Sequence, residues 1–309
     1  MIQIRTDLAM ESREIAGGLS GITTHSRRLG SIEETYVRIE TEEAACALEK
    51  AQGTYITLTH PGLPRCIAEE RLEMARAISE ELRNLLPPTG ELLVVGLGNR
   101  HMTADALGSR VLEDLLVTRH LKDLPDESLH NRLRGVCAVA PGVLGITGLE
   151  TAEVVQGIVE HVRPAAVIAI DALAARESSR ICTTVQITDT GIRPGSGVRN
   201  HRAGLTKDTL GVPVIAIGVP MVIYATVIAR DALSLLLEDI GMDGNEHVRA
   251  MDALIDKLMK QGMGEMVVTP REVDELVGKV GRIIADGLNL AFQPHLSEKE
   301  IQLISHDEP

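Results

Sequence analysis

From about residue 91 onward, short and wholly apolar runs recur between amphipathic stretches. "ELLVVGLGN" reads as a buried strand ending in Gly-rich punctuation, and "TADALGSRVLEDLLVTRHL" as an amphipathic helix. "GVCAVAPG" predicts a strand, and "GLETAEVVQGIVEHV" a helix stopped before Pro164. "AAVIAIDALAA" predicts an apolar strand running into Asp171, and "ICTTVQITDTG" another strand. "VPVIAIGVP" is a third apolar strand, followed by a helix over about residues 221–239. Two more helices are expected, over about 246–260 and 271–291, the second with Thr269 as cap and Pro270 as its first residue. Runs such as Val167–Ile170 and Val214–Ile217 are apolar on both faces of a strand, which fits a sheet covered by helices on both sides. The pattern predicts a three-layer α/β/α fold around a largely parallel, mixed sheet.

The first ninety residues are patterned differently. "GGLSGITTHSRRLG" is rich in Gly, Ser and Thr and predicts weak structure for the first thirty positions. β-like runs follow at "TYVRIE" and "TYITLTH", then a helix over about 68–86 closed by Pro87–Pro88. No internal repeat or linker divides the chain. Near the start, "IRTDLAMES" runs acid, large apolar, small, any residue, acid, from Asp7 through Leu8, Ala9 and Met10 to Glu11. No fold element needs that order so close to a terminus. It is either a frayed end or a site that something recognises.

Composition narrows the function classes. The chain has 309 residues, 44 % of them hydrophobic, enough for a sizeable core. One Phe, three Tyr and no Trp leave little with which to stack bases or sugars. A formal net charge of −13 argues against general affinity for phosphate backbones. The basic clusters at Arg27–Arg28 and Arg199–His201–Arg202 read as solvated loops or docking sites. Cys46, Cys66, Cys137 and Cys182 are widely spaced and read as reduced thiols, with neither disulfide framework nor zinc site. The start lacks a secretory signal, and no apolar run approaches the ~18 residues of a membrane span. A soluble, intracellular protein is expected.

Reacting groups in open α/β sheets gather beyond the carboxyl ends of the strands. Two predicted strands deliver an acid there. One places Asp105 at the start of the next helix, after a Thr103 cap, where the helix dipole alone would favour it. The other places Asp171 directly after four apolar residues, where an ionised carboxylate is costly unless hydrogen-bonded or neutral. Three other motifs have less behind them. "GLGNRH" lacks the third glycine of a dinucleotide loop, with His101 in its place. "PGSG" at Pro194–Gly197 lacks the frame of a serine nucleophile. His101 with Asp105 and Asp171 would make a metal site on ligand type alone.

Long stretches are recognisable. "VVGLGNRHMTADALGSRVLEDLLVTRHL", "APGVLGITGLETAEVVQGIVEHVRPAAVIAIDALAAR", "TTVQITDTGIRPGSGVRN" and "LGVPVIAIGVPMVIYA" closely resemble the germination protease family of spore-forming bacteria. "MVVTPREVDELVGKVGRIIADGLN" resembles that family's C-terminal helix, and "RTDLA" its N-terminal region. The resemblance implies a fold similar to that of hydrogenase maturation proteases. It implies an endopeptidase that degrades small acid-soluble spore proteins during germination, in the spore core. It implies a homotetrameric zymogen that removes its own N-terminal propeptide, with no cofactor, direct nucleic acid or membrane partner. By motif, the family's two essential aspartates fall on Asp105 and Asp171. Family substrates are cut after the first acid of sequences like Thr-Glu-Phe/Ile-Ala-Ser-Glu. Thr6-Asp7-Leu8-Ala9-Met10-Glu11 has the same grammar, which implies self-cleavage between Asp7 and Leu8, with residues 1–7 as propeptide and 8–309 as one protease domain. The segment is then expected to be extended and mobile. Its short leader implies that inhibition rests partly on the Gly-rich stretch that follows.

The expected chemistry is a carboxyl pair sharing a proton, one member drawing a proton from water and the other donating to the carbonyl oxygen or leaving nitrogen. Near neutral pH that needs a raised pKa, which burial beside Val167–Ile170 and Gly96–Gly98 would supply. The rivals are a metal-dependent protease using the same aspartates and a non-catalytic binding module in the same crevice. Arg176, Arg193 and Arg199 are candidate partners for substrate acids, or solvated loop residues.

Overall fold

The computed structural model describes residues 6–16, 19–123, 132–193, 203–239, 253–254, 257–258, 262 and 266–306. Its strands are β1 (Ile22–Leu29), β2 (Ile32–Ile39), β3 (Gly53–Thr59), β4 (Leu92–Gly96), β5 (Val136–Val139), β6 (Ala166–Ala175), β7 (Thr184–Thr188), β8 (Val214–Tyr224) and β9 (Val267–Val268). They form one sheet in the order β1-β2-β3-β7-β8-β6-β4-β5, with β9 added to β8. The block β5-β4-β6-β8 is parallel. β1, β2, β3 and β7 extend it with antiparallel pairings, so the sheet is mixed.

The longer helices are α1 (Ala9–Ala16), α2 (Glu42–Leu48), α3 (Ala68–Leu85), α4 (Leu107–Glu113), α5 (Thr151–Val162), α6 (Ala225–Asp239), α7 (Val273–Phe292) and α8 (Glu298–His306). Strand alternation sends Ile168 and Ile170 to one face and Val167 and Ala169 to the other. On the first face Met74 and Ile78 of α3, Val111 of α4 and Ile284 of α7 pack over them. On the second face Val155 and Val159 of α5 do so. Further along that sheet Ala9 of α1 and Ala44 and Leu48 of α2 cover Val37, Ile39 and Tyr55. Helices on both faces make the three-layer α/β fold expected from the apolar runs. Each of the Val, Leu, Ile and Met side chains among them, removed from water, contributes ~1.5–3 kcal/mol.

Several elements differ from the sequence pattern. The first thirty residues are not weakly structured, since α1 and β1 lie within them. The stretch 103–121 is a 3-10 turn at Thr103–Asp105, then the two turns of α4, then an irregular segment leading into a second 3-10 helix, Arg119–Asp123. The turn's N-cap is Met102, with no side-chain cap, so Thr103 does not have that role. β6 does not stop at Ile170 but carries Asp171 in its interior. β8 runs on through Met221 to Tyr224, because it stays paired with β6 to the end of that strand, and the helix starts only at Ala225. α7 begins at Val273 behind Glu272, while Thr269 Oγ1 donates to the Met221 carbonyl instead of capping the helix. The helix expected over about 246–260 falls largely outside the described residues.

Candidate active site

The site is built where β4 ends and β6 continues. Leu97 N–H donates to the Ile170 carbonyl at 2.8 Å, and β4 goes no further along β6. The chain then folds back through Gly98 (φ +94°), where a Cβ would lie 2.0 Å from the Asp105 carbonyl oxygen. Gly96 packs as tightly on α4, where a Cβ would stand 2.5 Å from the Gly108 carbonyl oxygen. The glycines of "GLGNRH" therefore serve close packing and a left-handed turn. The result is a fixed Asp105, whose Oδ2 accepts from Asn99 N–H at 2.8 Å. The 3-10 turn carrying it lies against β6 and β8.

Asp171 stands in β6 opposite Gly218 of β8 and is 8 % exposed. Its Oδ1 accepts from the N–H of Ala172 at 2.9 Å. Burial pushes its carboxyl well above the usual carboxylate range, and the negative charge of Asp105 pushes it further. The Ala172 N–H acts in the opposite direction, and Asp7 adds a smaller upward push. The structure thus brings Asp105, Asp171 and Asp7 into one electrostatic neighbourhood.

Asp7 is there because the N-terminal segment is docked, against the expectation of a mobile end. Asp7 takes both main-chain groups of Ala174, its N–H donating to the carbonyl at 3.0 Å and its Oδ2 accepting from the N–H at 2.8 Å. Leu8 is fully buried among Leu173, Ala175, Ile223, Tyr224 and Val227. Ala9 is fully buried over β2 and β3. Glu11, 1 % exposed, accepts from the N–H groups of Arg176 (2.9 Å) and Glu177 (3.0 Å) and pairs with Arg180 at 3.2 Å. The Thr6 hydroxyl also donates to Glu11. Burial raises the Glu11 pKa, and these hydrogen bonds and Arg180 oppose the rise. Each of the residues that gave "TDLAME" its pattern has a specific receiver, Met10 included, whose Sδ accepts from Arg180 Nη1 at 3.1 Å.

Three of those receivers were not visible in the sequence. Lys50 Nζ donates to the carbonyl oxygens of Thr6 (3.0 Å) and Asp7 (3.1 Å). Gln186 of β7 donates through Nε2 to the Asp7 carbonyl at 3.2 Å and accepts from Ala9 N–H at 2.7 Å. Arg180 is the third. A Glu49 in the left-handed region (φ 53°) closes α2 and sets the turn leading into Lys50. Alternating polar residues in β7 were the one sequence signal that could have singled out Gln186.

The remaining candidates separate. Arg176 meets Glu11 through its backbone N–H, and Arg193 is exposed. Arg199, His201, Arg202 and Pro194–Gly197 lie outside the described residues. Arg27, read as part of a solvated loop or docking cluster, instead lies in β1 and pairs with Glu34 and Glu81. His101 is exposed. Among the described residues no group of three or more His, Cys, Asp or Glu is placed to hold a metal ion, so His101, Asp105 and Asp171 do not form a ligand set. The four cysteines are free, and burial pushes the Cys182 thiol up to about 12. No helix among the described residues is long and apolar enough to cross a membrane.

Comparison with known proteins adds an independent finding. The family model described as germination protease matches residues 3–265. A germination protease of Clostridium acetobutylicum is 41 % identical over 97 % of this chain and 98 % of its own. One of Caldanaerobacter subterraneus subsp. tengcongensis is 40 % identical over 99 % of each chain. One of Bacillus subtilis is 37 % identical over 98 % of this chain and 97 % of its own. Among solved structures, the NiFe hydrogenase maturation protease HycI of Thermococcus kodakarensis matches 46 % of this chain and 80 % of its own, with 21 % identity and a TM-score of 0.30.

Proposed function

This chain belongs to the germination protease family, a family of proteases acting in spore germination, and from that premise we propose that it is a self-processing endopeptidase whose reacting groups are Asp105 and Asp171. The bond it cuts in itself is Asp7–Leu8, which makes residues 1–7 a propeptide and 8–309 the protease domain. Its substrates in trans are small acid-soluble spore proteins, cut after an acid that precedes a large apolar residue and an alanine. It works in the spore core and is made as a homotetrameric zymogen.

The observation that carries this reading is the docking of Thr6–Glu11 beside a buried carboxyl held above its ordinary range by burial and by Asp105. A protonated Asp171 and an ionised partner divide acid and base work. One carboxylate takes a proton from water as the water oxygen attacks the Asp7 carbonyl carbon. A proton passes to the Leu8 nitrogen as the C–N bond breaks, leaving a carboxylate and a new amino terminus. The pair titrates as a unit, so acid and base roles belong to the pair. In the docked form the same contacts hold the cleavable segment in place.

The test is the intact mass of the purified full-length chain during mildly acidic incubation, beside an Asp171→Asn control. Loss of residues 1–7 from the wild type alone is the expected result. Equal loss from both chains would remove Asp171 from the chemistry. Loss from neither would favour the reading of the crevice as a non-catalytic binding module.

A further inference from the structure

Lys50 and Gln186 converge on one oxygen. The Asp7 carbonyl accepts from Lys50 Nζ at 3.1 Å and from Gln186 Nε2 at 3.2 Å. We propose that Lys50 and Gln186 form an oxyanion-binding pair that grips the carbonyl of the bond to be cut, in the propeptide and in substrates alike. The inference rests on the cleavage reading above and adds two residues that touch the reacting group.

Three features of the structure support it. First, position: Asp171, Gly218 and Gln186 stand abreast on β6, β8 and β7, so Asp171 and Gln186 leave the same face of the sheet. Two strand spacings, about 10 Å, separate their backbones. Gly218 between them contributes no side chain, and the Leu173 side chain packs over it. Leu173 also lines the pocket of Leu8, so this row of the sheet lies beside the segment to be cut.

Second, reach: Gln186 spans the bond in question. Its Nε2 takes the carbonyl before it, and its Oε1 takes the N–H of Ala9, one residue beyond Leu8, at 2.7 Å. Such a clamp reads backbone only and leaves the choice of side chain to the pockets of Leu8, Ala9 and Glu11. Third, chemistry: Lys50 is a part-buried cation whose two described hydrogen bonds go to the carbonyls of Thr6 and Asp7. Desolvation lowers its pKa, while the charges of Asp7, Glu49 and Glu11 oppose the change. An ammonium serving structure alone gains little by sitting there. One that meets a growing negative charge gains strength as water attacks, because its attraction rises when the carbonyl oxygen becomes an oxyanion. The left-handed Glu49, a conformation unfavourable for a non-Gly residue, sets the turn that aims Lys50.

The experiment compares single-turnover self-cleavage of full-length wild type, Lys50→Met, Gln186→Met, Lys50→Arg and Asp171→Asn by intact mass, with a melting curve for each. Lys50→Met and Gln186→Met are expected to slow cleavage by about 10²–10³-fold each. Lys50→Met should melt at or above the wild-type temperature, because it removes a desolvated charge. Lys50→Arg should recover at least ten-fold of the loss. A purely structural Lys50 would instead lose rate and melting temperature together. Cleavage by both methionine variants within about three-fold of wild type, while Asp171→Asn is inert, would overturn the pair and leave the aspartate reading standing. Wild-type cleavage by Asp171→Asn would overturn that reading first. Should Lys50→Met fold poorly, a pair of Gln186 variants decides: Gln186→Glu keeps the acceptor for Ala9 N–H and removes the donor to the Asp7 carbonyl, so it should be as slow as Gln186→Met, and wild-type cleavage by it would overturn the proposal.

Discussion

Two places among the described residues set a buried carboxyl beside a second acid, and they are treated in opposite ways. Between β1, β2 and α3, Glu34 is fully buried and Glu81 is 2 % exposed. Arg27 reaches both, and Tyr36 lies beside them with His25 stacked on it at 4.4 Å. At the end of β4, Asp171 is buried near Asp105, and the charges that act on it, Asp105 and Asp7, are negative. Both settings raise a carboxyl pKa by burial, Glu81 in one and Asp171 in the other. In the first a guanidinium pulls back on Glu81, whereas the described charges acting on Asp171 all push its carboxyl upward. An acid pair answered by a cation is a fastening. A buried acid pushed up by neighbouring acids is poised to exchange a proton.

The largest effect expected from this contrast is in rate. Asp171→Asn and Asp105→Asn should each lower self-cleavage by at least about 10³-fold, whereas Glu34→Gln should stay within about three-fold per folded molecule. Intact mass against time measures all three. Equal losses in the two places would erase the distinction between fastening and active pair. Next comes stability: Arg27→Met should cost about 2–4 kcal/mol, below the full penalty for breaking a buried pair because the guanidinium is half-exposed. Denaturant unfolding measures it. The cleavage rate of the folded fraction should stay unchanged.

How much of this was readable beforehand follows from the kind of burial involved. The parallel block was legible because Val167–Ile170 and Val214–Ile217 are apolar at every position, as strands covered on both faces must be. Asp171 stood out for the same reason, as the one charged residue in such a run. β1 was not legible: "ITTHSRRL" turns five exposed positions to solvent and is held by its ladder to β2. The Met221 boundary failed because an apolar run continuing as a strand cannot be told from a starting helix by periodicity. Lys50, Gln186 and Arg180 lie in different elements, so local spacing could not unite them. The docked state of Thr6–Glu11 was hidden because its partners are main-chain groups of Ala174, Arg176 and Glu177, which carry no residue signature.

A smaller effect tests how closely the second place fits its own chain. Ala9 is enclosed by Val37, Ile39, Ala44, Leu48 and Tyr55, so Ala9→Leu should overpack the pocket at a cost of about 1–3 kcal/mol. Hydrogen exchange should then show faster exchange of the α1 amides, and self-cleavage should slow by about ten-fold or more. Unchanged protection would mean that the alanine position selects nothing.

The smallest expected effect is in the pH dependence of stability, where the two places share a sign and a first cause, burial, and differ in what opposes it. A carboxyl raised in the folded state contributes stability that is fully present below its unfolded pKa and lost as pH rises through the folded one. Asp171 is in that position, raised first by burial and then by Asp105 and Asp7. Asp171→Asn should therefore melt above wild type at neutral pH and converge with it below about pH 4, where both carry a neutral side chain. For a chain of this size each kcal/mol recovered shifts melting by about 2–4 °C or less. Glu81→Gln should show a weaker rise, or a fall, because Arg27 and Tyr36 lose a partner there. Calorimetry between about pH 4 and pH 8, on chains shown by mass to be unprocessed, separates the two. Parallel curves for wild type and Asp171→Asn would mean that Asp171 is ionised at little cost, and a proton-sharing pair would then have no energetic basis at this site.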